Sequence, residues 1–433
     1  MIYLAPRIFI ILLILIQGYI IETLVMQPAF ATAESVEKTK HSEILIKFKE
    51  GTTPNARQTL IANLKGKLIK WNETLNVAQI ILTIDLGGIT NTTGTVVTSA
   101  RHNTILEFIE ESETIVYGTH DETFISNDPH LGDDRAYALQ HIDISTAWTL
   151  STGREEIIIA ILDTGIDTGH IEFRDRIVAG YDFVNDDDQP ADDHGHGTHV
   201  AGIIAANINN GTGGAGVCPQ CRIMPVKVLN EENVGDWFTI ASGIVFAVDN
   251  GARIINLSLG ATQESETMRI ALDYAQSHGV LVIAAVGNYA NNQPFYPAAY
   301  AHVLGVSATT HQDKRWTLSN YGNYVDVAAP GQDILSTRPA NEYQYMSGTS
   351  VATPFVTGLA GLLFSHDTSR TMDDIVQLIT QTADDHGSPG WDQYYGFGRI
   401  NAAAALHAEV SISGIMGQEN VTEHIYLPFI ISS

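Results

Sequence analysis

The 433-residue sequence predicts an α/β protein, a mostly parallel sheet with helices on both faces, preceded by a small ferredoxin-like α+β domain. Three observations predict it. From about Ile142 onward, short continuous apolar runs alternate with helical stretches, as in strands buried on both faces. Between Ser42 and Gly118, strand and helix periods alternate as βαββαβ. Apolar residues make up 44% and charged residues 17%, a mix that fills a large core and excludes disordered, collagenous and coiled-coil chains.

At the amino end, Arg7 precedes an apolar run over 8–16, and Ala31-Thr32-Ala33 forms a small-x-small cleavage site. Residues 1–33 therefore read as a secretory signal peptide, and a secreted, extracellular protein is expected. Gln17, Gly18 and Glu22 interrupt the apolar run well short of the roughly 20 residues that span a bilayer, so no stable membrane insertion is expected.

The plait follows: strand over 43–48, helix over 55–64, strands over 67–71 and 77–84, helix over 98–109, strand over 114–117. Residues 119–134 carry Asn-Asp-Pro and Gly-Asp-Asp turn signals and read as an exposed linker. The buried strands are expected at 157–162, 223–229, 254–259, 280–286, 303–308 and 324–327, each bounded by Gly, Asn or Asp. An alanine-rich helix at 402–405 closes the domain, and the tail 408–433 has no assigned role.

The formal charge is −26, a field that repels phosphate backbones and excludes nucleic acid as a partner. It is unevenly placed: residues 121–406 hold 35 acidic and 13 basic residues, whereas 34–120 hold ten and nine, with seven lysines. The two regions have complementary fields. The two cysteines, Cys218 and Cys221, read as a local disulfide in an exported chain; half a zinc site would need two further ligands.

In a parallel sheet, ligands bind beyond the carboxyl ends of the strands. Those ends carry Asp163 in Ile-Leu-Asp-Thr-Gly-Ile-Asp, Ser258-Leu259-Gly260, and Asn288 in Ala-Ala-Val-Gly-Asn. His194, His196 and His199 cluster where a small-residue helix starts, and Ser350, in Ser-Gly-Thr-Ser-Val-Ala-Thr-Pro, starts another. A serine to attack, a histidine to take its proton and a carboxylate to orient the imidazole are the groups that nucleophilic acyl transfer needs. Each has a plainer reading, since an Asp ending a strand also serves turns and Gly-Thr-Ser also caps helices. The three histidines also resemble a zinc set, but no HExxH pattern follows.

The segments Asp163-Thr164-Gly165, His196-Gly197-Thr198-His199-Val200-Ala201-Gly202 and Gly348-Thr349-Ser350-Val351-Ala352-Thr353-Pro354 resemble the three signatures of the subtilases, the subtilisin-like serine proteases, most nearly their thermitase-like branch. The resemblance implies a catalytic domain over 127–407 and an inhibitory, chaperoning propeptide over 34–126. It implies Asp163 as orienting residue, His196 as base and acid, Ser350 as nucleophile, and Asn288 with the Ser350 N–H as the oxyanion hole. His199 would then be a structural helix residue. A peptide would lie extended between Asn233-Val234-Gly235 and Ser258-Leu259-Gly260. Its P1 side chain would enter a cavity walled by Ala285, Val286, Gly287 and Tyr296-Pro297-Ala298, and large apolar or aromatic P1 residues are expected.

Structural Ca2+ is also implied, at Asp128, Glu172, Asn210 and the carbonyls of Asn207, Thr212 and Gly214, with Glu172 where the family usually has Asp. A second site would use Asp182, Asn185 and Asp187, which otherwise form a solvated loop. Val351 and Phe355 depart from the family's usual Met and His. The partners implied are protein or peptide substrates and the chain's own propeptide, acting on a monomer that cleaves itself between Gly118 and Asp128, with Tyr117, Phe124 and Ile125 as apolar candidates before the cut. The competing reading is a catalytically silent relative that binds peptides or scaffolds a complex.

Overall fold

Strands flanked by helices on both sides must send alternate side chains into two different cores, and the central strands do so. In the computed structural model, which describes residues 13–16, 19–22, 40–48, 52–63, 66–84, 106–111, 114–116, 120–125 and 137–409, Ile159 and Ile161 enter one core while Ala160 and Leu162 enter the other. Leu281 and Ile283 alternate with Val282 and Ala284 in the same way.

In chain order, β1 (Leu13–Ile16) and β2 (Tyr19–Glu22) form a short antiparallel pair. The rest of the expected signal peptide lies outside the described residues, as do Asp128 and residues 410–433. An antiparallel sheet in the order β4-β5-β3-β6 follows, built from β3 (Lys40–Phe48), β4 (Gly66–Asn72), β5 (Val77–Ile84) and β6 (Leu106–Glu111), with α1 (Pro54–Asn63) between β3 and β4. Of the helix expected over 98–109, residues 98–105 lie outside the described residues, and from Leu106 the chain is a strand, β6, which pairs along β3 and takes the fourth place in the sheet.

The segment expected to be that fourth strand leaves the sheet. As β7 (Thr114–Val116) it pairs antiparallel with β12 (Val234–Asp236), and β8 (His120–Ile125), read from sequence as linker, pairs antiparallel with β18 (Glu342–Ser347). Further contacts join the small domain to the large one: Lys70 Nζ donates to the Phe183 carbonyl at 2.9 Å and Asn72 Nδ2 to Ser242 Oγ at 3.1 Å.

The large domain is a seven-stranded sheet, all of whose neighbours run parallel, in the order β10-β11-β9-β13-β14-β15-β16. Its strands are β9 (Ile158–Asp163), β10 (Tyr181–Asp182), β11 (Arg222–Lys227), β13 (Ile254–Leu257), β14 (Leu281–Ala285), β15 (Val303–Thr309) and β16 (Val327–Pro330). The last begins three residues later than its apolar run. On one face lie α2 (Tyr137–His141), α3 (Ile144–Ala147), α4 (His196–Ala205), α7 (Thr349–His366), α8 (Met372–Gln381) and α9 (Ala402–His407); on the other lie α5 (Trp237–Asp249) and α6 (Glu266–Ser277). A hairpin of β17 (Ile334–Arg338) and β18 packs on α4.

Helix α4 is wholly buried and α7 is buried from Thr349 to Ser365, which is why both are made of small and apolar residues. Cys218 and Cys221 form a disulfide, fully buried against α7. A methyl group on Gly361 would lie 3.0 Å from Cys221 Sγ, and one on Gly153 2.6 Å from Cys218 Sγ.

Candidate active site

Strand β9 ends at Asp163 and α4 begins at His196, so the approach of strand end to helix start decides whether these two residues meet. Gly197 permits that approach, because a Cβ there would run into the Gly165 carbonyl, 2.1 Å away. His196 Nδ1 and Asp163 Oδ1 are 2.7 Å apart, and both side chains are fully buried. The Thr164 N–H donates to the same Asp163 oxygen at 2.8 Å. The imidazole is thus tethered through Nδ1, which leaves Nε2 for proton transfer.

Residues not singled out from sequence hold this junction. Asp192 Oδ1 accepts from Thr164 Oγ1 (2.8 Å), His194 N (3.1 Å) and Gly195 N (2.7 Å), while Oδ2 accepts from Thr198 N (2.9 Å) and Thr198 Oγ1 (2.5 Å). One carboxylate therefore ties the end of β9 to the unsatisfied amides at the start of α4. Lys227, 1% exposed, donates to the carbonyls of Thr164 and Leu229 and to Asp193 Oδ1, each within 2.9 Å. A carboxylate three or four residues before a helix start was the available signal.

Ser350 stands in the first turn of α7. Pro354 sits inside that helix and has no N–H to give to the Ser350 carbonyl four residues back. Ser258 Oγ supplies the missing donor at 2.7 Å, and Asn256 and Thr357 support it: Asn256 Nδ2 donates to Ser258 Oγ (2.9 Å) and Thr357 Oγ1 to Asn256 Oδ1 (2.8 Å). Asn288 Oδ1 accepts from Thr349 N (2.9 Å) and Thr349 Oγ1 (2.8 Å). With Oδ1 so held, Nδ2 turns toward the nucleophile: a Cβ placed on Gly348 would lie 3.2 Å from Asn288 Nδ2 and 3.0 Å from Ser350 Oγ. An amide N–H and a helix-start N–H aimed at one place can stabilise an oxyanion.

Of the other histidines, His194 lies in the loop, its ring 6.4 Å from that of His196. His199 Nε2 donates to the carbonyls of Ile334 (3.1 Å) and Gln344 (3.2 Å), fastening α4 to the β17–β18 hairpin. Burial, helped by the neighbouring His196, pushes its pKa down to about 3.

Around the site, Val234 and Gly235 lie in β12 with Asn233 buried beside them, and Ser258, Leu259 and Gly260 follow β13. Ala285 ends β14, and Ala298 is buried in the same core. Phe295, which was not singled out, places its ring beside both Gly260 and Gly287.

The expected metal ligands fall in two places. Glu172 is fully buried, a position that raises its pKa. Its carboxylate accepts from Asn210 Nδ2 (2.7 Å), Tyr343 OH (2.7 Å) and Thr212 Oγ1 (3.4 Å), and its carbonyl from the Asn207 N–H (3.1 Å). The loop around it leaves open space, since a Cβ on Gly211 or Gly214 would meet nothing within 4 Å. Carboxylate, amide and carbonyl oxygens are the donor chemistry of a hard cation, and this buried carboxylate beside an open loop fits one. Asp182, Asn185 and Asp187 share one turn, where Asp182 accepts from Val184 N, Asn185 N and Asn185 Nδ2, each within 2.9 Å. Among the described residues, no three His, Cys, Asp or Glu side chains gather in metal-binding fashion.

A parallel α/β sheet carrying Asp163, His196 and Ser350 at one rim defines a protein of the serine hydrolase kind, and the family is specific. A family model described as "Subtilase family" matches residues 154–398. The chain belongs to the subtilase family and is a serine-type endopeptidase. Thermitase of Thermoactinomyces vulgaris is 42% identical over 283 residues, covering 65% of this chain and 99% of thermitase. A thermophilic serine proteinase of Bacillus sp. strain AK1 is 36% identical over 364 residues, 84% of this chain and 87% of that protein. The crystal structure of fervidolysin from Fervidobacterium pennivorans, a keratinolytic enzyme related to subtilisin, matches with a TM-score of 0.74 at 27% identity; the match covers 88% of this chain and 63% of that one.

Two outcomes follow from this geometry. Asn288→Ala should lower kcat by about 10² to 10³ with KM little changed, because the amide acts on charge that develops after binding; steady-state kinetics on a peptide substrate decide it. The second concerns His199, buried neutral with a folded pKa near 3 against 6.5 unfolded. The unfolded chain binds the extra proton between these values, so the His199 contribution to stability is complete above about pH 6.5 and is lost as pH falls toward 3. In a Ser350→Ala background, which avoids self-digestion, His199→Gln should flatten the acid side of the urea-midpoint profile over that window by up to one proton's slope.

Proposed function

We propose that the chain is a secreted precursor of an endopeptidase that hydrolyses peptide bonds in proteins through an acyl-enzyme and is matured by its own active site. The observation that carries this reading is the buried 2.7 Å contact between Asp163 and His196 at the rim where Ser350 and Asn288 stand. Ser350 Oγ attacks the scissile carbonyl of an extended peptide while His196 Nε2 takes the hydroxyl proton. The imidazolium, steadied by Asp163, returns it to the leaving amine, and a water then opens the acyl ester by the same proton path. The oxyanion formed in each half accepts from the Ser350 N–H and Asn288 Nδ2. The substrate chain pairs with Asn233–Gly235 on one side and Ser258–Gly260 on the other and presents an apolar P1 side chain to the cavity beside Ala285, Gly287 and Ala298. No helix among the described residues is long and apolar enough to cross a membrane.

Residues 34–126 act as an intramolecular inhibitor in this reading. Two pairings support it: Val116 stands opposite Val234, on the strand where substrate is expected, and His120 stands opposite Ser347, three residues before the nucleophile. Phe124 and Ile125 are committed to pairing with Gln344 and Tyr343. Ca2+ at Glu172, Asn210 and the Asn207, Thr212 and Gly214 carbonyls, with Asp128, would neutralise the buried carboxylate and tie the loop to the Ile171–Phe173 turn, a structural role. Asp182, Asn185 and Asp187 are a second candidate.

Three outcomes test these points. Ser350 should react with a fluorophosphonate probe once the amino-terminal domain is removed, and a protein that stays unlabelled is the catalytically silent relative instead. Ser350→Ala, secreted from a protease-deficient host, should accumulate as uncut precursor by mass spectrometry; trimming at the wild-type bond would mean an external protease matures the chain. Excess chelator should lower the thermal midpoint and speed self-digestion, and superimposable melting curves with and without it would remove calcium from the account.

A further inference from the structure

The structure assigns Phe295 as the residue that sets which P1 side chain this enzyme accepts, and the class it sets is small: glycine, alanine or serine. The inference rests on the protease reading above and departs from the expectation of large aromatic P1 residues. In that reading the P1 side chain enters between two backbone segments, Ser258-Leu259-Gly260 and Ala285-Val286-Gly287. A Cβ built on Gly260 would fall 2.5 Å from Phe295 Cε1 and 3.0 Å from Cδ1. One built on Gly287 would fall 2.9 Å from Cγ and 3.0 Å from the same Cδ1. Both walls have glycine where they face the ring, and one edge of the ring touches both. The flat space that a P1 phenyl group would enter between two glycines already holds the protein's own phenyl group.

That ring is not placed to leave. Phe295 is 1% exposed and packs in the same core as Leu259, Ala285, Val286 and Ala298. Its carbonyl accepts from Ala299 N at 2.9 Å, and the next residue, Tyr296, exchanges two 2.8 Å backbone hydrogen bonds with Ala261, directly after the Gly260 wall. The ring of Tyr289, which follows Asn288, has its centroid 5.9 Å from that of Phe295. Swinging Phe295 out to admit a large P1 group would expose a buried aromatic and leave its place to be refilled, whereas a P1 side chain ending at Cβ or one atom beyond needs no such movement.

The test uses the full chain, allowed to mature, and two peptide p-nitroanilides identical except for Ala or Phe at P1. Wild type should favour Ala by at least about tenfold in kcat/KM, and Phe295→Gly should move the Phe-to-Ala ratio toward Phe by about 10- to 100-fold. Phe295→Leu, which keeps an apolar side chain in the core, should move the ratio the same way by less, so the test survives if the glycine variant does not fold. A wild type that takes Phe as readily as Ala, or a ratio unmoved in the variants, overturns the assignment. Fluorophosphonate labelling of the same samples separates the two levels: labelled protein without P1 discrimination overturns this inference alone, while unlabelled, inactive protein overturns the protease reading and this inference with it.

Discussion

A carboxylate and an imidazole, both removed from water, meet at 2.7 Å between Asp163 and His196. Burying such a pair costs several kcal/mol unless its geometry is held and the remaining atoms find partners. Much of the surrounding structure meets that requirement. Gly197 lets the helix approach, Thr164 gives its amide to the carboxylate, and Asp192 bridges strand to helix through five accepted hydrogen bonds. Lys227 closes the back of the loop. On the nucleophile side the same logic recurs with neutral groups: Pro354 orphans the Ser350 carbonyl, and Ser258, Asn256 and Thr357 satisfy it in series. A reactive centre built of buried polar groups stays ordered through such paired donors and acceptors, although Asp163 Oδ2 is buried without a hydrogen bond.

The amino-terminal strands use the large domain as a template. β7 completes an edge at β12, and β8 becomes the third strand of the β17–β18 hairpin. Each addition satisfies backbone groups that would otherwise face solvent. In the proposed reading, inhibition and substrate binding would both be strand addition to these edges.

The large domain was readable in the sequence because strands buried on both faces show as unbroken apolar runs, and β9, β11, β13, β14 and β15 fall where those runs predict. Segments whose conformation depends on a distant partner were not. Leu106–Glu111 carries a pattern read from sequence as partly helical and becomes a strand because β3 offers an edge, and residues 120–125 carry turn chemistry beside them yet pair with β18. The site divides the same way. Asp163, His196 and Ser350 sit in compact local motifs, whereas the work of Asp192, Thr349 and Asn256 depends on partners reached through space, up to 101 residues away in the chain. Phe295 is the sharpest case: the sequence points to Tyr296, Pro297 and Ala298 and passes over it, because its place depends on the direction of its ring.

The buried Cys218–Cys221 bridge has a meaning for how this lineage can change. Its sulfurs rest on Gly361 in α7 and on Gly153; a methyl group at 153 would collide with them, and one at 361 would press on them tightly. The four positions are sterically coupled. A descendant that retains the bridge is held to glycine at 153, and a larger residue at 361, which would favour the helix intrinsically, is accommodated more easily once the cysteines have given way to something smaller. Drift at one of these sites is therefore conditional on the history of the others.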